Sequence, residues 1–501
     1  MRVVLAGFNV DAEVLKEAVD LGVSPERLTP EILSAAYARI SRNPAPVEEL
    51  RARSREEVAK ARASNEQIVF GLGHASVAEH AVFNFDLMGL SRLAIEAVEA
   101  FRLCSYTEKS QRYIRLEDEL VVPAEIVASG LEPRFRKLAL LQRRTYDLLY
   151  QRILEQLLER QPERGADKTA RRALEGRAKE DARYVTSLAV EGQLGLTVNA
   201  RNLEHLVRRL GGHPLTEVRE LASRLGDLAR GVAPSLIRYI EPTSSAGSWR
   251  CPAELRALAR ELLDPEAGQT LPGETGAVQL CGGGGGGDAA VVAGLFHAAS
   301  GAPWSACEER ARAMSPDEQG QVIRAALRPL GPHEAPPRAF ELVSLRFDVV
   351  VSASCFAQLK RHRMATLMAQ PYRPSLGYTM PESVASVGMV SEVQRVMAES
   401  TTLFDEVASH DREAAAYVLT QAHRRRAVLQ LNARELYHFA RLRLDQHAQW
   451  DIRRLAERML NLARRELPQT LCLACGKHEL AGRRAEVFGE AHAEGHAGAE
   501  G

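Results

Sequence analysis

Cys355 to Tyr378 reads CFAQLKRHRMATLMAQPYRPSLGY, and Ala94 to Tyr113 reads AIEAVEAFRLCSYTEKSQRY. Setting Arg361 against Ala100 aligns them 261 residues apart, with Thr366 on Ser105, Pro371 on Ser110 and Arg373 on Arg112. A second match lies further on. LTVNARNLEHLVRRLGGHPLTEVRELA, from Leu196, aligns with LQLNARELYHFARLRLDQHAQWDIRRLA, from Leu429, placing Asn199 on Asn432 and Arg201 on Arg434 at a separation of 233. The chain is therefore internally duplicated. The first copy carries 28 more residues between its motifs, an excess centred on the charged stretch QPERGADKTARRALEGRAKEDAR, which is expected to form a solvated helical insertion.

At 501 residues the chain exceeds one ordinary core, which fits two domains. Its 65 Lys plus Arg balance 65 Asp plus Glu, so no global field draws it to nucleic acid or an acidic membrane. Any anion site must be built from local arginines. No apolar run reaches about 18 residues, and MRVVLAGFNVDAEVL lacks a basic region followed by a long apolar segment. Neither a membrane span nor a secretory signal is expected, and the chain reads as cytoplasmic. Seven scattered cysteines read as reduced thiols.

Apolar spacing of three and four recurs through SREEVAKARASNEQIVF, 131 to 165, 201 to 230, 396 to 420 and 433 to 465, which predicts a mostly helical protein. HAVFNFDLM and LVSLRFDVVVS read as strands in equivalent places of the two halves, and RVVLAG as a short strand before a helix. The expected fold is α+β, with a small sheet in each half. The expected domains are 1–240 and 288–480, joined by a linker at 241–287 and followed by a disordered tail at 481–501. The linker ends in six glycines, which read as a flexible tether.

Arg361-His362-Arg363 taken alone reads as an exposed arginine cluster on a helix, yet clustered guanidiniums also bind phosphates bidentately. His74, Ser76, Glu79 and His80 in GHASVAEH read either as polar turn residues or as a weak metal pattern. Asn199 and Asn432 suit helix N-caps, with Arg201 and His205, or Arg434 and His438, four residues apart on one face. Cys472-x-x-Cys475 with His478 leaves zinc, a redox pair or neither open. No metal site is assigned.

GHASVAEH, SRLAIE, SYTEKSQRY and NAR followed by HAQWDIR together resemble the flavin-dependent thymidylate synthases, whose signature is Arg-His-Arg, two residues, Ser, four residues, Ser, one residue, Arg. Neither half keeps the signature whole. The resemblance implies two tandem thymidylate-synthase-like domains and reductive methylation of dUMP to dTMP by an FAD-dependent methyltransferase, with methylenetetrahydrofolate and NADPH as co-substrates. It also implies a homodimer mimicking the family's homotetramer, with composite sites.

The substrate set falls on Gln358, Arg361 and Arg443 in the second half, where the first has Ala97, Ala100 and Leu210. The complementary set falls on Glu108, Ser110, Arg112 and Arg183 in the first half, where the second has Ala369, Pro371, Arg373 and Ala416. Arg443 and Ser110 are the implied catalytic pair. The implied FAD contacts are Ser41, His74, Ser76, Glu79, Arg361, His362 and Arg363, completed by Asn432, Arg434 and His438 or by Asn199, Arg201 and His205. The alternatives are a non-catalytic flavin- or nucleotide-binding paralogue and a related flavin- and folate-dependent pyrimidine-alkylating enzyme.

Overall fold

The computed structural model describes residues 1–21, 27–40, 43–110, 120–241, 253–263 and 278–489. It contains two four-stranded antiparallel sheets. Arg2–Phe8 (β1), Val82–Ser91 (β2), Ser105–Glu108 (β3) and Glu191–Asn199 (β4) lie in the order β1-β2-β4-β3. Val278–Gly283 (β5), Ser344–Ser352 (β6), Thr366–Ala369 (β7) and Arg424–Asn432 (β8) repeat it as β5-β6-β8-β7. Alternation drives these strands: Phe83, Phe85 and Leu87 are buried while Asn84 and Asp86 are exposed. Leu345, Phe347 and Val349 do the same in β6.

The duplication holds at the level of register. Val82 faces Asn199 and Ser105 faces Thr197 in the first sheet, as Ser344 faces Asn432 and Thr366 faces Gln430 in the second. The first sheet alone carries a bulge between Met88 and Leu90, which adds Gly89. That extra residue shifts the alignment by one upstream of it and sets Glu79 opposite Glu341. Gly89 has φ +68, and a Cβ there would approach the Met1 backbone to 3.3 Å.

The glycine run departs from the expected tether. Leu280, Gly282 and Gly283 pair with Phe347, Arg346 and Leu345 as part of β5, with a bulge at Cys281 that matches the one at Ala6 in β1. The backbones approach too closely here for a side chain: a Cβ on Gly283, at φ +117, would sit 2.1 Å from the Ser344 carbonyl oxygen. Gly286, at φ +83, then caps the helix Gly287–Ala299. The expected boundaries at 287 and 288 thus cut through an ordered strand-to-helix turn.

Two compact units emerge, and their division does not follow the repeats. One comprises Met1–Thr270 with Pro381–Thr420, the other Leu271–Met380 with Gln421–Gly501. In the first unit the long helix Glu132–Arg160 packs against the helix Val390–His410. The expected insertion does form helices, at Pro162–Ala166 and Lys168–Ala182, but it is not wholly solvated, because Leu174 and Ala178 are buried. In the second unit Phe347, Leu429 and Phe439 belong to one core with Ile452, Met459 and Leu471. Among the described residues no helix is long and apolar enough to cross a membrane. The expected tail at 481–501 includes helix Leu480–Phe488, and its remainder from 490 lies outside the described residues.

Candidate active site

In the second unit, β6 ends at Ser352, whose hydroxyl accepts from the Cys355 amide to cap the helix Ala353–Leu359 and donates to Asp451 at 2.6 Å. Arg361, His362 and Arg363 follow that helix directly. Arg361 and Arg363 are exposed, whereas His362 is only 4% exposed. At the end of β8, Asn432 caps the helix Ala433–Arg443 by accepting from Glu435 N at 2.8 Å.

Both helices converge on His362. Its Nδ1 lies 3.2 Å from Glu435 Oε1, and its Nε2 accepts from Arg443 Nε at 2.9 Å. Arg443 also donates from Nη2 to the Gln358 carbonyl at 2.9 Å, and its Nη1 lies 3.4 Å from Gln358 Oε1. Gln358 in turn donates to Gln449 Oε1 at 2.9 Å. Three implied substrate or cofactor residues, Gln358, His362 and Arg443, thus form one network with Glu435 and Gln449, which the sequence reading did not single out.

A guanidinium can only donate, so His362 Nε2 must present its lone pair to Arg443. The ring proton of a neutral imidazole then sits on Nδ1, facing Glu435. Burial, then Arg443 and His438, hold the imidazole well below its ordinary range, so it is neutral. Burial raises the Glu435 carboxyl, with His438 and Arg434 opposing. His362, Glu435 and His438 bring ligand atoms within 4.8 Å of one another, the one such group among the described residues. Metal ligation through Nδ1 would need a second lone pair from the same ring and would break the bond to Arg443.

The first unit carries the matching scaffold without that network. Ser91 caps the helix Arg92–Glu99 and contacts Glu217, as Ser352 contacts Asp451. Asn199 caps the helix Ala200–Gly211. At the positions of His362, Glu435 and Arg443 stand Phe101, Asn202 and Leu210, and Leu210 is fully buried on the stripe with Leu203 and Leu206. His74, Ser76, Glu79 and His205 are exposed. Burial, with Arg208 and Arg201, lowers the pKa of His205.

Arg201 pairs with Glu79 in the first unit, and Arg434 pairs with Glu341 at 3.1 Å in the second. This shared ion pair is a physical reason for Glu341 to persist where the rest of GHASVAEH has no counterpart. Glu108, at the end of β3, is engaged by Arg92, while Arg183 is buried and Ser110 half-buried. Ser41 and Arg112 lie outside the described residues. Cys104 is buried, and burial pushes the Cys475 thiol up to about 11, so Cys475 is no ready nucleophile at neutral pH.

Two copies of one α+β scaffold, each with an Asn-capped helix carrying Arg beside a 3-10 turn, define a duplicated protein. The chain belongs to the Thymidylate synthase complementing protein family, Thy1, whose model matches residues 26–235 and again 288–469. It therefore consists of two tandem flavin-dependent-thymidylate-synthase-like domains. A flavin-dependent thymidylate synthase from Clostridium tetani is 30% identical over 44% of this chain and 86% of its own length. A UPF0159 protein from Chlamydia pneumoniae is 24% identical over 80% of this chain and 78% of its own. The solved structure of a UMP/dUMP methylase PolB from Streptomyces cacaoi bound with 5-Br dUMP aligns at 19% identity and TM-score 0.32, covering 39% of this chain and 92% of that one.

Proposed function

We propose that this chain is a working flavin-dependent thymidylate synthase that reductively methylates dUMP to dTMP at a composite site, each repeat supplying the face the other has lost. The observation that carries the reading is the segregation of retained residues. Gln358, Arg361 and Arg443 occur only in the second repeat, and Glu108, Ser110 and Arg183 only in the first, with Arg112 alone keeping a counterpart in Arg373. Neutral decay would strike both faces in both copies. The sealed packing of Leu210 supports the same reading, since the first repeat has filled the place of Arg443 with core.

The donor set suits an extended anionic cofactor. Exposed Arg361, Arg363 and His438 in one repeat, and His74, Ser76 and Arg201 in the other, would hold FAD. Ser41, Glu79 and His362 would line the same pocket, completed by Asn432 and Arg434 or by their counterparts Asn199 and His205. When bound, the flavin would pass reducing equivalents from NADPH to the carbon delivered by methylenetetrahydrofolate. The protein binds, orients and sets the field. Arg112 and Arg183 would hold the dUMP phosphate, with Ser110 and Glu108 placing the nucleotide. Arg443, facing the pyrimidine, would favour the N3-deprotonated form and so enrich C5 as a nucleophile, an effect worth several kcal/mol in a dry site. Two chains would associate to reproduce the family's tetramer.

The test is dTMP formation by the purified protein with FAD, dUMP, methylenetetrahydrofolate and NADPH, each omitted in turn, with product mass recorded. Turnover requiring all four supports the proposal. Bound flavin without turnover would make the chain a binding paralogue, and a product of different mass would identify another pyrimidine alkylation.

A further inference from the structure

We infer that Glu435 is a positioning residue for Arg443, acting through the imidazole of His362. The inference rests on the functional reading above for its consequence in catalysis, but its physical content is separate.

Glu435 is the third residue of an Asn-capped helix, and a Glu there ordinarily reaches back to the cap's backbone N–H. Ser315 and Glu318 do form that reciprocal box in this chain, with the Glu318 carboxylate accepting from Ser315 N at 2.8 Å. The Glu435 carboxylate instead lies 3.2 Å from His362 Nδ1, and its side chain is 10% exposed. It has left the usual partner for a buried ring.

That choice holds the hydrogen-bond polarity of the network from the Nδ1 side, as Arg443 does from the Nε2 side. With a carboxylate oxygen accepting from Nδ1–H, Nε2 carries the lone pair that Arg443 Nε–H needs. Without Glu435, the other tautomer or a flipped ring would turn an N–H toward the guanidinium, two donors face to face in a dry environment. Gln358 engages Nη1 and Nη2 of the guanidinium, and His362 engages its Nε. The first repeat supplies an independent observation: Phe101, Asn202 and Leu210 replace His362, Glu435 and Arg443 together. Where Arg443 is gone, the histidine and its carboxylate are gone as well.

The decisive measurement is the histidine tautomer in the full-length, ligand-free protein labelled with 15N-histidine, with His362→Phe providing the assignment. Wild type and Glu435→Gln, whose amide oxygen can still accept, should show a neutral ring protonated at Nδ1. Glu435→Ala should lose that state to the Nε2-protonated form or a mixture. Nε2 protonation in the wild type, or an unchanged Nδ1–H tautomer in Glu435→Ala, would overturn the inference, and the wild-type spectrum decides even if a variant fails to fold. In turnover, Glu435→Ala should lower kcat/KM for dUMP by about 10–100-fold, the scale for outer-shell partners of a site residue, with Glu435→Gln restoring most of it. Absence of dTMP formation in the wild type would defeat the functional reading and leave the tautomer result to decide this one.

Discussion

Gln142 donates its side-chain amide to Ser400 Oγ at 3.1 Å, and these two residues are each other's counterparts in the two repeats. Pro123 with Pro381, and Gly130 with Gly388, fix that equivalence at the ends of matching short helices. Ser187 and Thr420, also counterparts, form an antiparallel bridge. Within the first unit, the segment 381–420 therefore meets its own equivalent as an isologous interface would. Gln142→Ala also strips the Val418 carbonyl of its donor at a buried site, so it should destabilise by about 1–3 kcal/mol. Ser400→Ala should cost less. Denaturant midpoints at constant m would check both.

Tyr417 ties the same segment to Glu217, donating its hydroxyl to Oε2 at 2.7 Å, while Ser91 N and Oγ donate to the same carboxylate at 2.7 and 2.6 Å. Tyr417→Phe should cost about 1–2 kcal/mol, and the double-mutant cycle with Glu217→Ala should show coupling. Burial raises the Glu217 carboxyl above its ordinary value of 4.5, despite these bonds. An acid with a raised folded pKa contributes stability below the unfolded value that is lost as pH rises through the folded one. Glu217→Gln should flatten stability against pH over that window, upward from 4.5. An unchanged slope would remove Glu217 from the account.

The glycine run supplies a paired test. Gly283→Ala drives a Cβ into the Ser344 backbone at positive φ and should cost more than about 3 kcal/mol, since φ strain and a backbone clash add. Gly285 has nothing within 4 Å of a Cβ and no positive φ, so Gly285→Ala should be neutral or slightly stabilising. Equal tolerance would return the whole run to a tether.

Thiol labelling reports the same strand. Among the described cysteines, Cys281 in the β5 bulge is exposed, Cys472 intermediate and the other four buried. In a Cys251→Ser background, an Ellman reagent should find one fast thiol, removed by Cys281→Ser. Fast reaction of Cys475 would contradict its burial.

The segregated faces predict asymmetric loss. Arg443→Ala and Ser110→Ala should each lower kcat/KM by at least about 100-fold, the scale of removing a group that stabilises developing charge. Arg373→Ala, on the face the second repeat has abandoned, should stay within a few-fold. Mixing the Arg443→Ala and Ser110→Ala chains restores turnover only if the two faces come from different chains.

Much of the fold was legible because duplication writes each signal twice. Two weak strands, HAVFNFDLM and LVSLRFDVVVS, became credible by occupying equivalent places, and both are strands. Asn199 and Asn432 read as caps and are caps, since a cap is a local arrangement of four residues. Six glycines read as a tether because glycine lacks any side-chain preference; the strand register of Gly282 and Gly283 is imposed by the neighbouring β6 backbone. Glu435 and Gln449 were passed over for the same kind of reason. A Glu three residues past a cap already has a local explanation, and its histidine partner is 73 residues away.

Local chemistry was thus set by the sequence alone: the duplication, the helix and strand periods, the caps and the complementary losses of Arg443 and Ser110. The tertiary structure decided which segments share a core, that Pro381–Thr420 packs with the first repeat, and that His362 sits between Glu435 and Arg443. Those outcomes depend on groups distant in the chain competing for the same buried donors and acceptors, and no local pattern records who wins.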